Sequence, residues 1–228
     1  QGWLEDAGYD VNWVQSLGSS AANEALRSGA IDFGSTAGSA ALLARANGAP
    51  QQIVSVVAQP EWASIVTPSG SDITSVERLQ GRTVAAALGT DPYFFLVQSL
   101  EQAGLSIDDV TVENLAHADG WAALQSGSVD AWAGLDPITA TAEEAGATIL
   151  ATDLSLNSYS VLNASEEVIE QDPELVQTVV DLYEQAREWA LANPDEMAQL
   201  LADAAAIDLS VAQVVIDERE GLDVSGVP

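Results

Sequence analysis

Short apolar runs alternate along the chain with stretches whose apolar positions follow helical spacing, and glycine or proline marks most of the changes between them. Strands are predicted at Val11–Gln15, Ile31–Phe33, Ile53–Ala58, Ala63–Val66, Thr83–Ala87, Val110–Leu115, Val129–Ala133 and Tyr159–Leu162. Helices are predicted at Ala21–Ser28, Ser39–Asn47, Pro92–Ala103, Gly120–Ser126 and Pro137–Ala145. Beyond these the chain turns helical, with Pro173 and Pro194 in first-turn positions behind Asp172 and Asn193 as caps. The tail Gly221–Pro228 has no regular pattern. Strands alternating with helices predict an α/β protein built on mainly parallel sheets.

One pattern occurs twice. Leu26-Arg27-Ser28-Gly29-Ala30-Ile31-Asp32-Phe33 and Leu124-Gln125-Ser126-Gly127-Ser128-Val129-Asp130-Ala131 share a helix end, a glycine suited to positive φ, and the start of an apolar strand. Two similar α/β lobes in one chain would produce it, and so would two independent helix-to-strand turns.

In open α/β sheets ligands bind beyond the carboxyl ends of strands, where loops enter helices and free N–H groups point outward. Four such places stand out: Leu17-Gly18-Ser19-Ser20, Gly34-Ser35-Thr36-Ala37, Gly89-Thr90-Asp91-Pro92, and Trp132 to Pro137. Small residues let backbone approach a ligand, and hydroxyls with N–H groups can satisfy an oxyanion without a full positive charge. Each place is also explained by ordinary capping, and Thr90-Asp91-Pro92 completely so. Four together favour a ligand cleft. Trp132 and Trp62 are expected to wall it with their rings, core packing being the alternative for Trp132. Asp136 follows Trp132 at the same site, and Tyr93 is the aromatic residue nearest the start of its helix.

Charge narrows the partners. Thirty-five acidic residues stand against 6 basic ones, for a net charge of −29. A chain this acidic offers no basic face to nucleic acid and is repelled by an anionic membrane surface. With 47% hydrophobic residues it has material for a large core. All the basic residues are arginine, a bias that suggests a habitat such as high salt. Cysteine is absent, which excludes disulfides, thiolate metal sites and cysteine nucleophiles. No apolar run reaches the roughly 18 residues that span a bilayer, and no signal-peptide pattern opens the chain, so any targeting segment is expected to have been removed. The lone histidine, His117, reads as a surface residue, and no nucleophile elbow, phosphate loop or histidine pair is present. No cofactor and no metal is expected.

Three segments together resemble a known family: Gly29-Ala30-Ile31-Asp32-Phe33-Gly34-Ser35-Thr36, then Ser75-Val76-Glu77-Arg78-Leu79-Gln80-Gly81-Arg82-Thr83-Val84, then Gly127-Ser128-Val129-Asp130-Ala131-Trp132-Ala133-Gly134-Leu135-Asp136-Pro137. The chain looks like the periplasmic solute-binding proteins of ABC importers for aliphatic sulfonates, taurine and nitrate, which have the type 2 two-lobed fold. The resemblance runs from about Val11 to Leu201. It implies a first lobe over 1–66, a second over 67–159, and a helical return to the first over 160–228. Against the family pattern the chain starts inside the first helix and stops short of the usual end. Carried over residue by residue, the resemblance places Gly18, Ser19, Ser35, Thr36, Gly89, Thr90, Trp132 and Asp136 around a cleft between lobes. Where the family often has a second hydroxyl residue after the glycine, this chain has Asp91, and an amine or zwitterion such as an aminosulfonate suits an acidic cleft better than a simple anion.

The function implied is that of an extracytoplasmic, non-enzymatic binder, in the periplasm or as a surface lipoprotein. It would carry an alkanesulfonate or taurine to an ABC permease and would be a monomer, the default of the class. The alternatives are another small solute (nitrate, a pyrimidine precursor or an amine) and the effector-sensing domain of a LysR-type regulator. Enzymes with a similar fold, a pyrimidine synthase and an aromatic desulfinase, rely on cysteine, which this chain lacks.

Overall fold

The computed structural model describes residues 2–219, 221, 222 and 224. Its elements in chain order are α1 (Trp3–Asp6), α2 (Ser19–Arg27), β1 (Phe33–Ala37), α3 (Gly38–Ala46), β2 (Gln51–Ala58), β3 (Ala63–Thr67), β4 (Thr83–Ala86), α4 (Asp91–Gln102), β5 (Thr111–Asn114), α5 (His117–Gln125), β6 (Ala131–Leu135), α6 (Ile138–Glu144), β7 (Thr148–Ala151), β8 (Ser160–Ser165), α7 (Glu166–Gln171), α8 (Pro173–Ala192), α9 (Pro194–Ala205) and α10 (Leu209–Val214). A π-helical turn, Val215–Arg219, continues α10.

The chain divides into two compact units. The first holds the chain up to Gln59, Tyr159–Asn193 and the chain from Leu222, and the second holds Pro60–Ser158 with Pro194–Gly221. The chain thus crosses between the units at 59/60, 158/159, 193/194 and 221/222, and the first crossing comes before β3, not after it at 66/67 as expected. The C-terminal segment departs from expectation: α9, α10 and the π turn join the second unit, not the first as predicted for all of 160–228. The cause is packing. Ala140 of α6 clusters with Val211 and Val215, and Arg219 reaches Asp136 just before α6 and Glu143 in its last turn.

The first unit carries the sheet β1-β8-β2, in which β8 runs antiparallel to both neighbours. The second carries β5-β4-β6-β3-β7, where β4 lies parallel to β5 and β6 while β3 is antiparallel to β6 and β7. The α/β class is as expected, but the expectation of mainly parallel pairing needs correction. Strands joined through a helix, such as β1 and β2 through α3, do run the same way, as helical crossovers require. A strand delivered by a crossing between units, β8 in one sheet and β3 in the other, is inserted among them in the opposite sense.

Local sequence explains the helices that flank the sheets. Along α4, Phe95, Leu96, Ser99 and Leu100 are buried on one stripe, and Pro92 sits in the first turn where no intrahelical N–H is lost. On α2 the buried face is Ala22, Asn23 and Leu26, and Gly29 just beyond the helix takes φ +70°. The side chain of Asp172 caps α8 by accepting from the Leu175 N–H, as predicted. The core of the second unit gathers Ile65, Leu79, Val84, Phe95, Leu96 and Leu100, none of them exposed.

Several strand predictions shift, β2 among them, which begins at Gln51. Val11–Gln15 is not a strand but exposed chain, with Trp13 69% and Val14 49% accessible. No described strand pairs with it, so its β-prone side chains lack the ladder a strand requires. β1 starts at Phe33 and β6 at Ala131, each about two residues later than predicted. The strand β7 and the helix α7 are additions that the apolar pattern did not reveal.

Candidate functional site

In the first unit, Gly18 has φ +106° and leads into α2, where Ser19 is the first residue. The Ser19 hydroxyl accepts the N–H of Ala37 at 3.0 Å, tying the start of α2 to the end of β1. Because β1 extends through Ala37, the predicted loop Gly34-Ser35-Thr36-Ala37 is strand, paired with β8 from Phe33↔Ala164 to Ala37↔Ser160. Alternation then separates two neighbouring hydroxyls. Ser35 is exposed and lies 3.4 Å from the Tyr183 hydroxyl of α8. Thr36 is buried, and its hydroxyl accepts from the Asn163 amide at 2.8 Å. Asn163 and Asn23 both accept from Gln51, and this amide group fills the interior behind β1. Thr36 is therefore a core polar residue, a correction to its place beside Ser35, and Tyr183 is the neighbour the sequence pattern did not single out.

In the second unit, Gly89 has φ +74° and leads into α4. Thr90 occupies the cap position, but its hydroxyl donates to the Ala87 carbonyl at 2.6 Å instead of accepting from the helix. Asp91 is 4% exposed. Its carboxylate accepts the Trp62 indole N–H at 2.8 Å, the Ser158 N–H at 3.1 Å, and the Ser158 hydroxyl at 2.7 Å. Trp62 is thus half-buried with its ring against the core and its N–H fixed. Tyr93, also half-buried, meets Phe94 edge-on with ring centres 5.6 Å apart.

Trp132 is not a pocket wall. It is 1% exposed, centred in β6, and packed with Val66, Leu124, Val129 and the Trp121 ring. Asp136 is likewise inward, its side chain 4% exposed. It accepts from the Thr139 hydroxyl and from the Ala140 N–H at 3.0 Å, capping α6, and pairs with Arg219 at 3.0 Å. Burial pushes its carboxyl above the usual range, against the lowering pull of the Thr139 hydroxyl, the Arg219 charge and the Ala140 N–H. Arg219 also reaches Glu143 at 2.6 Å. The arrangement is a helix cap locked by a guanidinium, so Asp136 serves structure. Arg219 and Ser158 lie far from their partners in sequence, and no local motif marked them.

His117 opens α5 half-buried, not on the surface as expected, and burial lowers its pKa. Its Nδ1 is buried without a hydrogen-bond partner.

The site residues thus sort into two sets. Gly18 and Ser19 stand at the start of α2 and Ser35 on the exposed face of β1 in the first unit, and Trp62, Gly89, Thr90, Asp91 and Tyr93 cluster about the start of α4 in the second. Residues 1–197 match the family profile described as NMT1/THI5 like. The chain belongs to the NMT1/THI5-like family. Among related sequences, the putative aliphatic sulfonates-binding protein of Escherichia coli (strain K12) is 31% identical over 212 residues, covering 92% of this chain and 66% of that protein. Among solved structures, the alkanesulfonate-binding protein SsuA from Xanthomonas axonopodis pv. citri, bound to MOPS, superposes with a TM-score of 0.87 at 28% identity, over 93% of this chain and 74% of that one. The periplasmic aliphatic sulphonate binding protein SsuA from Escherichia coli gives 0.84 at 30% identity, over 96% and 73%. The family thus confirms the resemblance read from the sequence, and the fold is that of these binding proteins.

Proposed function

We propose that the chain is the extracytoplasmic solute-binding component of an ABC importer, taking a small organosulfonate, an alkanesulfonate or taurine, without chemical transformation. The likeness to an alkanesulfonate-binding protein over nearly the whole chain is the observation that carries this reading. The local chemistry agrees. In the first unit a turn at Gly18 leads into α2, with hydroxyls at Ser19 and Ser35, and in the second a turn at Gly89 leads into α4; each suits an oxyanion held by neutral donors and a helix N-terminus. Asp91 would oppose a sulfonate if its carboxylate were free, but that carboxylate is engaged by Trp62 and Ser158. Delivery of the bound solute to a permease completes the reading.

The test is a thermal-shift panel at low and high salt with alkanesulfonates, taurine, nitrate, thiamine-type pyrimidines and simple amines. A sulfonate or taurine is expected to raise the melting temperature by several degrees through selective binding to the native state. Stabilisation by nitrate, a pyrimidine or an amine with none by sulfonates would overturn the assignment of the solute, and silence from the whole panel would overturn the reading.

A further inference from the structure

We propose that Asp91 is a positioning residue that ties the crossings at 59/60 and 158/159 to the start of α4, and that it does not itself contact the solute. The proposal deepens the solute-binding reading and rests on it only for the binding arm of its test.

Trp62 lies just after the 59/60 crossing, and Ser158 is the last residue before the return crossing at 158/159. One carboxylate accepts from both. Those donors are an indole N–H, a backbone N–H and a hydroxyl. A carboxylate is the side chain suited to them, because it accepts several hydrogen bonds and donates none. Charge-assisted bonds to it are also stronger than neutral ones. An asparagine has one acceptor oxygen, and its NH2 would confront donors.

Further side chains lace the same two segments. The Thr152 hydroxyl donates to Glu61 at 2.5 Å, and Asn157 accepts the Ala63 N–H at 2.9 Å while donating to the Asp153 carbonyl at 2.8 Å. Gln98, further along α4, donates to the Leu156 carbonyl at 3.4 Å. On the other side of each crossing, Ala58 and Ser160 are already partners in the first sheet. Outgoing and returning chain are thus joined within each unit up to the crossings themselves. Asp91 thus holds the second unit's side of these two crossings.

The experiment uses 15N-labelled protein. The Trp62 indole resonance is assigned by its loss in Trp62→Phe, then followed in Asp91→Asn, while affinities for taurine and propane-1-sulfonate are measured by calorimetry. The proposal expects the Trp62 indole proton to move upfield in D91N with the other indoles in place. It expects both affinities to fall together, by about tenfold or less, because the substitution loosens the start of α4 and removes no contact to the solute. An unmoved Trp62 resonance would overturn it. So would a loss for taurine, which carries an ammonium, more than about tenfold greater than for propane-1-sulfonate, since that difference marks a carboxylate touching the solute. If D91N does not fold, Ser158→Ala takes its place: it removes the hydroxyl that shares the carboxylate with Trp62, and an unchanged indole shift would sink the proposal. If neither compound binds wild-type protein, the sulfonate reading fails, and the indole shift still decides the role of Asp91.

Discussion

At the scale of single residues, Trp132 shows how a core side chain dictates its neighbours. A Cβ at Gly134 would lie 2.5 Å from the far ring atoms of Trp132 and 2.7 Å from the Thr139 methyl, and one at Gly120 would lie 2.6 Å from the indole. Gly134→Ala is expected to cost about 1–3 kcal/mol by overpacking, read from urea unfolding. That cost should shrink in a Trp132→Phe background, because phenylalanine lacks the ring atoms the methyl meets; an undiminished cost would place the clash elsewhere. The sequence left Trp132 open between wall and core because Ala131 to Gly134 are all buried, so the strand has no alternation to betray its faces. His117 offers a pH prediction. Its pKa is lowered by burial, so the unfolded chain binds the proton more readily between the ordinary value of 6.5 and the lowered one. Stability from this group is therefore present above pH 6.5 and lost as pH falls through that window. The difference in urea midpoint between wild type and His117→Asn should narrow as the buffer is acidified from neutral, and a constant difference would refute it.

Among elements, the C-terminal helices were legible as helices but not in their destination. Pro194 and the spacing after it announce α9, whereas the Arg219–Asp136 pair that secures the segment joins residues with no local relation in sequence. Val11–Gln15 failed for the complementary reason: apolar alternation gives a strand its faces, and only a neighbour gives it a ladder. The loops before α2 and α4 were readable because glycine at positive φ is a local requirement. Hydroxyl roles were not, since Thr36 turns inward through the register of β1 against β8. Arg219→Met should cost about 3–5 kcal/mol by leaving Asp136 buried without its partner, and Asp136→Asn in the same chain should recover part of it. Independent, additive losses in a double-mutant cycle would show that the pair does not hold the segment.

Across the molecule, charge is the dominant fact. Arg27, Arg45, Arg82, Arg187 and Arg219 each sit on a carboxylate, yet with 35 acidic residues most of the negative charge is uncompensated. Such self-repulsion weakens the compact state and is screened by salt, whose Debye length is about 3 Å at 1 M. The melting temperature is expected to climb as KCl is raised toward molar concentration, and a flat profile would show that the repulsion is already relieved. Salt should also speed capture of a sulfonate and slow that of a simple amine, measured by stopped flow.

The inserted strands bear on birth as well as on architecture. In the first sheet β8 separates β1 from β2, so among the described strands this ladder cannot form until residues 160–165 join it. By then β3 to β7, the whole of the second sheet, have already been made. Among the described strands the later sheet is therefore the first whose members are all made, while β1 and β2 wait on β8, and a strand edge that waits is the state most open to mispairing and to chaperones.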